Sequence, residues 1–184
     1  MRYIVLLLTL TLAAMACAGE ITLVDSARNG VELQWTMESY QIETVGNYTF
    51  VDFPGGGGLY GVGQPNIPSQ QTFIEIPMGA TPVLRVSDPV FTVEHVDSPI
   101  VPSQEPAIDT IGEERLLDRF CYDGEIYRSN ELFPGNVVEI AYQGVMRGRN
   151  LVLVRFNPIQ YVPATGEVQV YTDLRVHVDY KGYD

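Results

Sequence analysis

The feature that most constrains this chain is a strict two-residue alternation close to its C-terminal end. In EVQVYTDLRVHVDY, Val168, Val170, Leu174, Val176 and Val178 share one parity, and Gln169, Asp173, Arg175, His177 and Asp179 share the other. A period of two sends successive side chains to opposite faces of a pleated strand, so the valine row needs cover and the polar row can meet water. One strand can neither pair its own backbone groups nor bury its own apolar row. It needs neighbours beside it and a second layer over it. The rest of the chain supplies both. VELQWTM puts Val31, Leu33, Trp35 and Met37 on one face. YTFVDF, QTFIEI, PVLRV, VFTVEHV and NVVEIAY are further short runs bounded by Gly, Pro, Asn and Asp. LVLVRF is almost continuously apolar, the pattern of a central strand covered on both faces. The expected fold is all-β, an antiparallel β-sandwich with one long irregular loop and room in that loop for a short helix.

That loop runs from Ser98 to Glu131. Pro99, Pro102 and Pro106 remove donors and prevent regular pairing in its first part. IGEERLLDRF suits a short helix, with Ile111, Leu116 or Leu117, and Phe120 roughly on one side. A connection of this length inside a compact domain is usually functional or disordered. No internal repeat and no linker divides the chain.

The first residues read as a secretory signal: Arg2, an apolar run from Ile4 to Ala16, then small residues. The run is short of the roughly 20 apolar residues of a membrane-spanning helix. Residues 1–18 are therefore expected to be a signal peptide and 19–184 one domain, cut after Ala16 or Ala18. Lipid attachment at Cys17 is the less favoured alternative. After cleavage at Ala18, Cys121 has no cysteine to pair with, and burial must hold the fold together. The expected location is secreted, or the bacterial cell surface or periplasm.

The formal net charge of −12 excludes nucleic acid as a natural partner, because binding it takes many cations against phosphates. Other chemistry is sparse. PGGGGLYG lacks the Gly-Lys-Ser/Thr ending of a phosphate loop and reads as a turn. Two histidines with Cys121 make no zinc pattern, and the carboxylates form no calcium loop. No cofactor or metal is expected, and no catalytic residue. A thiol nucleophile built from Cys121 with His95 or His177 is the weakest reading, since a lone cysteine is more often a small buried hydrophobe. Asn47-Tyr48-Thr49 fits a glycosylation sequon, relevant only in a eukaryotic source.

Three ordered motif groups carry a resemblance. The first is VDFPGGGGLYGVGQPNIPSQQTFIEIPMGATPVLRV, a Gly-x-Pro-x-x-Pro turn, a strand, and Ile-Pro-x-Gly-Ala before another strand. The second is IYRSNELFPG. The third is GVMRGRNLVLVRFNPIQYVPATGEVQVYTDL, with Arg-Gly, a strand, Asn-Pro-x-x-Tyr-x-Pro-x-Thr-Gly and a closing strand. In this order, from about Val51 to Val178, the chain resembles the N-terminal propeptide domain of the gingipain-type cysteine peptidases (peptidase family C25, clostripain-like).

The resemblance implies a β-sandwich prodomain that assists folding of a cysteine endopeptidase and keeps it latent, with a loop carrying a basic residue in the protease cleft. The implied partner is a cognate cysteine protease domain, in cis or in trans. The implied loop lies between Ile100-Val101-Pro102-Ser103 and Tyr122 to Gly135. Its candidate residues are Pro102, Ser103, Asp109, Thr110, Arg115 and Arg119. Two departures stand out: the alignment puts Asp109 and Thr110, neither of them basic, where the blocking residue is sought, and the loop is slightly longer. Arg115 or Arg119 could serve instead, or could simply occupy the outer face of a helix. The chain stops at Asp184 without room for a catalytic domain, as either part of a longer precursor or a free-standing product. A cell-surface adhesion or carbohydrate-binding sandwich is the alternative.

Arg147-Gly148 falls at the implied Arg-Gly step, outside the loop. It reads as hardware of a tight strand connection, with the Arg147 stem across the sheet or paired with a carboxylate. Arg147→Ala is expected to weaken folding more than binding. Arg147 and Arg149 are also candidate processing sites. NPIQYVPATGEV reads as a turn, with Tyr161 burying its ring at the corner and its hydroxyl hydrogen-bonded.

Overall fold

The computed structural model describes residues 19–57, 61–105 and 120–183. Its strands are β1 (Glu20–Ala27), β2 (Gly30–Thr36), β3 (Gln41–Val45), β4 (Tyr48–Asp52), β5 (Gln70–Ile76), β6 (Thr81–His95), β7 (Val138–Met146), β8 (Arg149–Phe156), β9 (Ile159–Val162) and β10 (Glu167–Lys181). One 3₁₀ turn, Ile126–Arg128, lies between β6 and β7. Every strand ladder among the described residues is antiparallel.

The alternating strand β10 is the spine. Along one edge it pairs with β6 over its whole length. Along the other it pairs first with β9, Glu167 to Val170, and then with β2, Asp173 to Asp179. Strand β1 extends this sheet beyond β2. A second sheet has the order β5-β8-β7, and β3-β4 form a separate hairpin. The valine row of β10 is fully buried, as its parity requires. It faces Val152, Val154 and Phe156 of β8 within one core cluster. Trp35 of β2 joins the layers: its ring stacks on Phe156 at 6.1 Å and meets Phe53 edge-on at 5.4 Å. Each such fully buried large side chain contributes about 1.5–3 kcal/mol. The architecture is the expected antiparallel sandwich.

Three local expectations change. PVLRV and VFTVEHV are one strand, β6, not two. The Ser-Asp-Pro step between them is a bulge with Asp88 at φ 50, which the pairing with β10 carries through. β8 is central in its sheet but alternates in burial, with Leu151, Leu153 and Arg155 only half covered. Only one face of it meets the second layer, and Leu151 and Leu153 on the other stay partly exposed. NPIQYVPATGEV is a hairpin whose first arm, β9, is a strand; only Pro163 to Gly166 turn. Strands β1 and β3 had no separate signal, the first because it follows the leader directly and the second because QIETV has few apolar residues.

On the solvent side of β2-β10-β6, the polar parity of β10 forms a charged ladder. Arg85 Nε and Nη2 donate to the Asp179 carboxylate at 2.8 and 3.1 Å. Glu32 takes Arg175 at 3.2 Å and lies 3.5 Å from His177 Nδ1, whose Nε2 is 3.4 Å from Ser87 Oγ. Among the described residues no helix is long and apolar enough to cross a membrane.

Candidate functional site

The proline-rich segment leaves the sandwich by a tied-down route. After β6, the chain crosses to β4, where Thr49 N–H donates to Pro99 O at 2.8 Å and Val101 N–H to Thr49 O at 2.9 Å. Thr49, fully buried, also donates its hydroxyl to Ser98 O at 2.9 Å. The next residues pair with the stretch after β4: Asn66 N–H to Val101 O at 2.8 Å, Ser103 N–H to Gln64 O at 2.8 Å, and Gly63 N–H to Ser103 O at 2.7 Å. The returning limb lies against the same stretch, with Asp123 N–H donating to Gly63 O at 2.9 Å. Gly63 can sit between the limbs because it has no side chain. Its φ is +85, and a Cβ there would stand 3.1 Å from Asp123 N.

One side chain closes the two limbs on each other. The Gln104 amide accepts from Cys121 N–H at 2.9 Å, donates to Cys121 O at 2.9 Å, and donates to Pro102 O at 3.0 Å. An amide facing the N–H and C=O of one residue pairs like a neighbouring strand would. The result is a neck at Gln104 and Cys121, with residues 106–119 between its limbs.

Below the neck is a tyrosine base. Tyr127, held by the 3₁₀ turn, donates its hydroxyl to Ile100 O at 2.5 Å and stacks on Tyr122 with centroids 4.4 Å apart. Burial raises the Tyr127 pKa well above the usual tyrosine range, and the neighbouring Tyr161, Tyr122 and Tyr48 add to the rise. Burial also raises that of Tyr161, against a backbone hydrogen bond from Ile100. Both rings remain neutral pillars around the fully buried Ile100. Tyr161 buries its ring at the corner, as its sequence context suggests. The Phe-Pro-Gly stretch is fixed next to it: Phe133 and Tyr161 exchange backbone hydrogen bonds at 2.7 and 2.8 Å, and Gly135 N–H donates to Gln160 Oε1 at 2.8 Å.

Of the loop candidates, Pro102 and Ser103 are buried in the outgoing limb. Among the described residues Ser103 Oγ has no hydrogen-bond partner. Both belong to the buried outgoing limb of the neck. Asp109, Thr110, Arg115 and Arg119 lie outside the described residues, as does IGEERLLDRF up to Phe120. Arg147 and Arg149 sit at the β7–β8 hairpin, away from the neck in chain order. Arg147-Gly148 is its two-residue turn, with φ 51 and 78 and Met146 paired to Arg149. Both positive φ values mark a type I′ turn. The exposed Arg147 side chain forms no ion pair among the described residues; Arg149 reaches Glu75 at 3.3 Å. The structural part of Arg147 is its backbone.

Cys121 is half-buried, and the histidines are engaged elsewhere, His177 in the β10 ladder and His95 facing Asp97 at 3.8 Å. Among the described residues no group of three His, Cys, Asp or Glu side chains could hold a metal ion. Sequence reasoning missed Gln104, whose place after Pro102-Ser103 gives no signal of a bidentate backbone clamp.

The Propeptide_C25 family model matches residues 14–183. The chain belongs to the C25 propeptide family. It is a propeptide domain and not itself the protease. It is 25% identical over 152 residues to Lys-gingipain HG66 of Porphyromonas gingivalis, and equally to the Lys-gingipain of strain W83. Those matches take in 80% of this chain but only 9% of the length of each relative. Its fold superposes on a solved complex of the Porphyromonas gingivalis RgpB pro- and mature domains, with TM-score 0.75, 21% identity, and coverage of 88% of this chain and 84% of that one. It also superposes on a structure described as giving insight into the zymogenic latency of gingipain K from the same organism, with TM-score 0.73, 22% identity, and coverage of 90% and 94%.

Proposed function

We propose that this C25 propeptide keeps a gingipain-like cysteine endopeptidase latent by placing the segment between its neck limbs, residues 106–119, in the active-site cleft, and that it assists folding of that peptidase. The observation that carries the reading is the Gln104–Cys121 clamp above the Tyr127–Ile100 base. A segment whose two ends are fixed side by side loses less entropy on entering a cleft than a free one. Arg115 or Arg119 would supply the basic contact, with Asp109 and Thr110 beside them. The complex recorded for the RgpB pro- and mature domains supports the same kind of partner here. In this reading residues 1–18 direct secretion, and cleavage at Arg147 or Arg149, on the exposed hairpin, is a route to release.

The test is titration of the purified chain against the catalytic domain of a C25 peptidase from the same genome. Inhibition below micromolar concentration that disappears when residues 106–119 are replaced by a Gly/Ser linker is the expected result. No inhibition by the native chain rejects the mechanism.

A further inference from the structure

Among the described residues the β3–β4 hairpin is a two-stranded sheet joined to no other strand, tied to the outgoing limb by the Thr49–Ile100 bridge. Its register pairs Val45 with Tyr48, Glu43 with Phe50 and Gln41 with Asp52. Paired residues share a face, and the opposite face sends Thr49 and Val51 into the protein. The outward face should then be polar. Instead Val45 is 56% and Phe50 46% exposed. The apolar surface continues to the neck. Phe120, 53% exposed, lies with its ring 5.6 Å from that of Tyr48, and Tyr122, 49% exposed, stacks on Tyr127. Phe120 and Tyr122 flank Cys121, where the returning limb is clamped.

We infer that Val45, Tyr48 and Phe50 together with Phe120 and Tyr122 form an apolar collar on which the catalytic domain of the C25 peptidase seats, a contact area separate from its cleft. This rests on the reading that residues 106–119 enter that cleft. A body that takes up a segment beginning and ending at the neck is brought toward Phe120 and Tyr122, which flank the clamp, and the Phe120–Tyr48 ring contact carries that surface onto the hairpin face. Exposed aromatics grouped at one place, and not scattered singly, mark association surfaces. The rim selects the partner's chemistry. Glu43 and Asp52 share the hairpin face, and Asp123 and Glu125 follow Tyr122. The matching surface is apolar and edged with basic side chains. Such a rim speeds encounter at low salt, while the apolar centre sets the lifetime.

The experiment measures binding and inhibition of a purified C25 catalytic domain by three chains: native, Val45→Thr/Phe50→Thr, and native with residues 106–119 replaced by a Gly/Ser linker. Threonine keeps the β-branched preference of the strands, and a melting curve checks the fold. Phe50→Lys, opposite Glu43, is the second variant should the first melt early. The expected result is that the linker chain binds without inhibiting, and that the hairpin substitutions weaken binding about ten-fold in both backgrounds. Unchanged binding by folded hairpin variants, with inhibition by the native chain intact, rejects the collar and leaves the cleft reading standing. Absence of both binding and inhibition in the native chain rejects the cleft reading and the collar with it. Dimerisation of the native chain that the hairpin substitutions abolish assigns the face to a second copy and also overturns the proposal.

Discussion

Gln104→Ala isolates the neck. The substitution removes three hydrogen bonds of 2.9, 2.9 and 3.0 Å, two of them to Cys121. At roughly 0.5–1.5 kcal/mol net for each, with water replacing some of the loss at this half-buried site, the closed neck loses about 2–3 kcal/mol. That corresponds to roughly 30- to 150-fold more opening. The change should stay local, because Asn66, Ser103, Gly63 and Asp123 keep their own backbone bonds to the rest of the sandwich. The melting temperature should therefore move little. Hydrogen exchange at the Cys121 amide should accelerate by about the same factor while the neck stays mostly closed, and the inhibition constant against the C25 catalytic domain should rise as far as the closed fraction falls. Gln104→Glu keeps an acceptor for Cys121 N–H but sets a carboxylate oxygen against the Cys121 and Pro102 carbonyls, and should open the neck at least as far as Gln104→Ala. Loss of exchange protection at Cys121, the mark of a mostly open neck, with an unchanged inhibition constant would refute the reasoning, since the open neck would then inhibit as well as the closed one.

Arg147→Asn should stabilise the chain: Arg147 is held at φ 51 in a turn that favours Asn-Gly, and relief of about 0.5–1 kcal/mol raises the melting temperature by about 1–4 °C. A lower melting temperature would mean that the Arg147 side chain carries weight of its own. The Arg85 guanidinium, by its hydrogen bonds, holds the Asp179 carboxyl below the usual carboxylate range. A depressed carboxylate pKa stabilises the fold above the unfolded-state value, and that stabilisation is lost as pH falls through the folded-state value. Asp179→Asn should thus melt earlier than the native chain at neutral pH, with the gap closing in acid; a gap independent of pH would assign the effect to packing.

The sequence by itself determined which residues of β10 are inside. Parity alone put Val168, Val170, Leu174, Val176 and Val178 in the core and His177 and Asp179 on the solvent side, because the two faces of a pleated strand follow from covalent geometry. It also marked Arg147-Gly148 as a tight connection and Ser98 to Glu131 as the break in the pattern, since glycine and proline act on their own backbone wherever they stand. Only the tertiary structure decided that the break has a neck. Nothing local to Gln104 or Cys121 announces their pairing across the excursion, for a side-chain amide will match any free backbone N–H and C=O that folding brings to it. The same holds for β6, where Ser87-Asp88-Pro89 signals a turn and the long partner β10 makes it a bulge. Periodic burial is written residue by residue; contacts between irregular segments depend on where the sheets have already placed them.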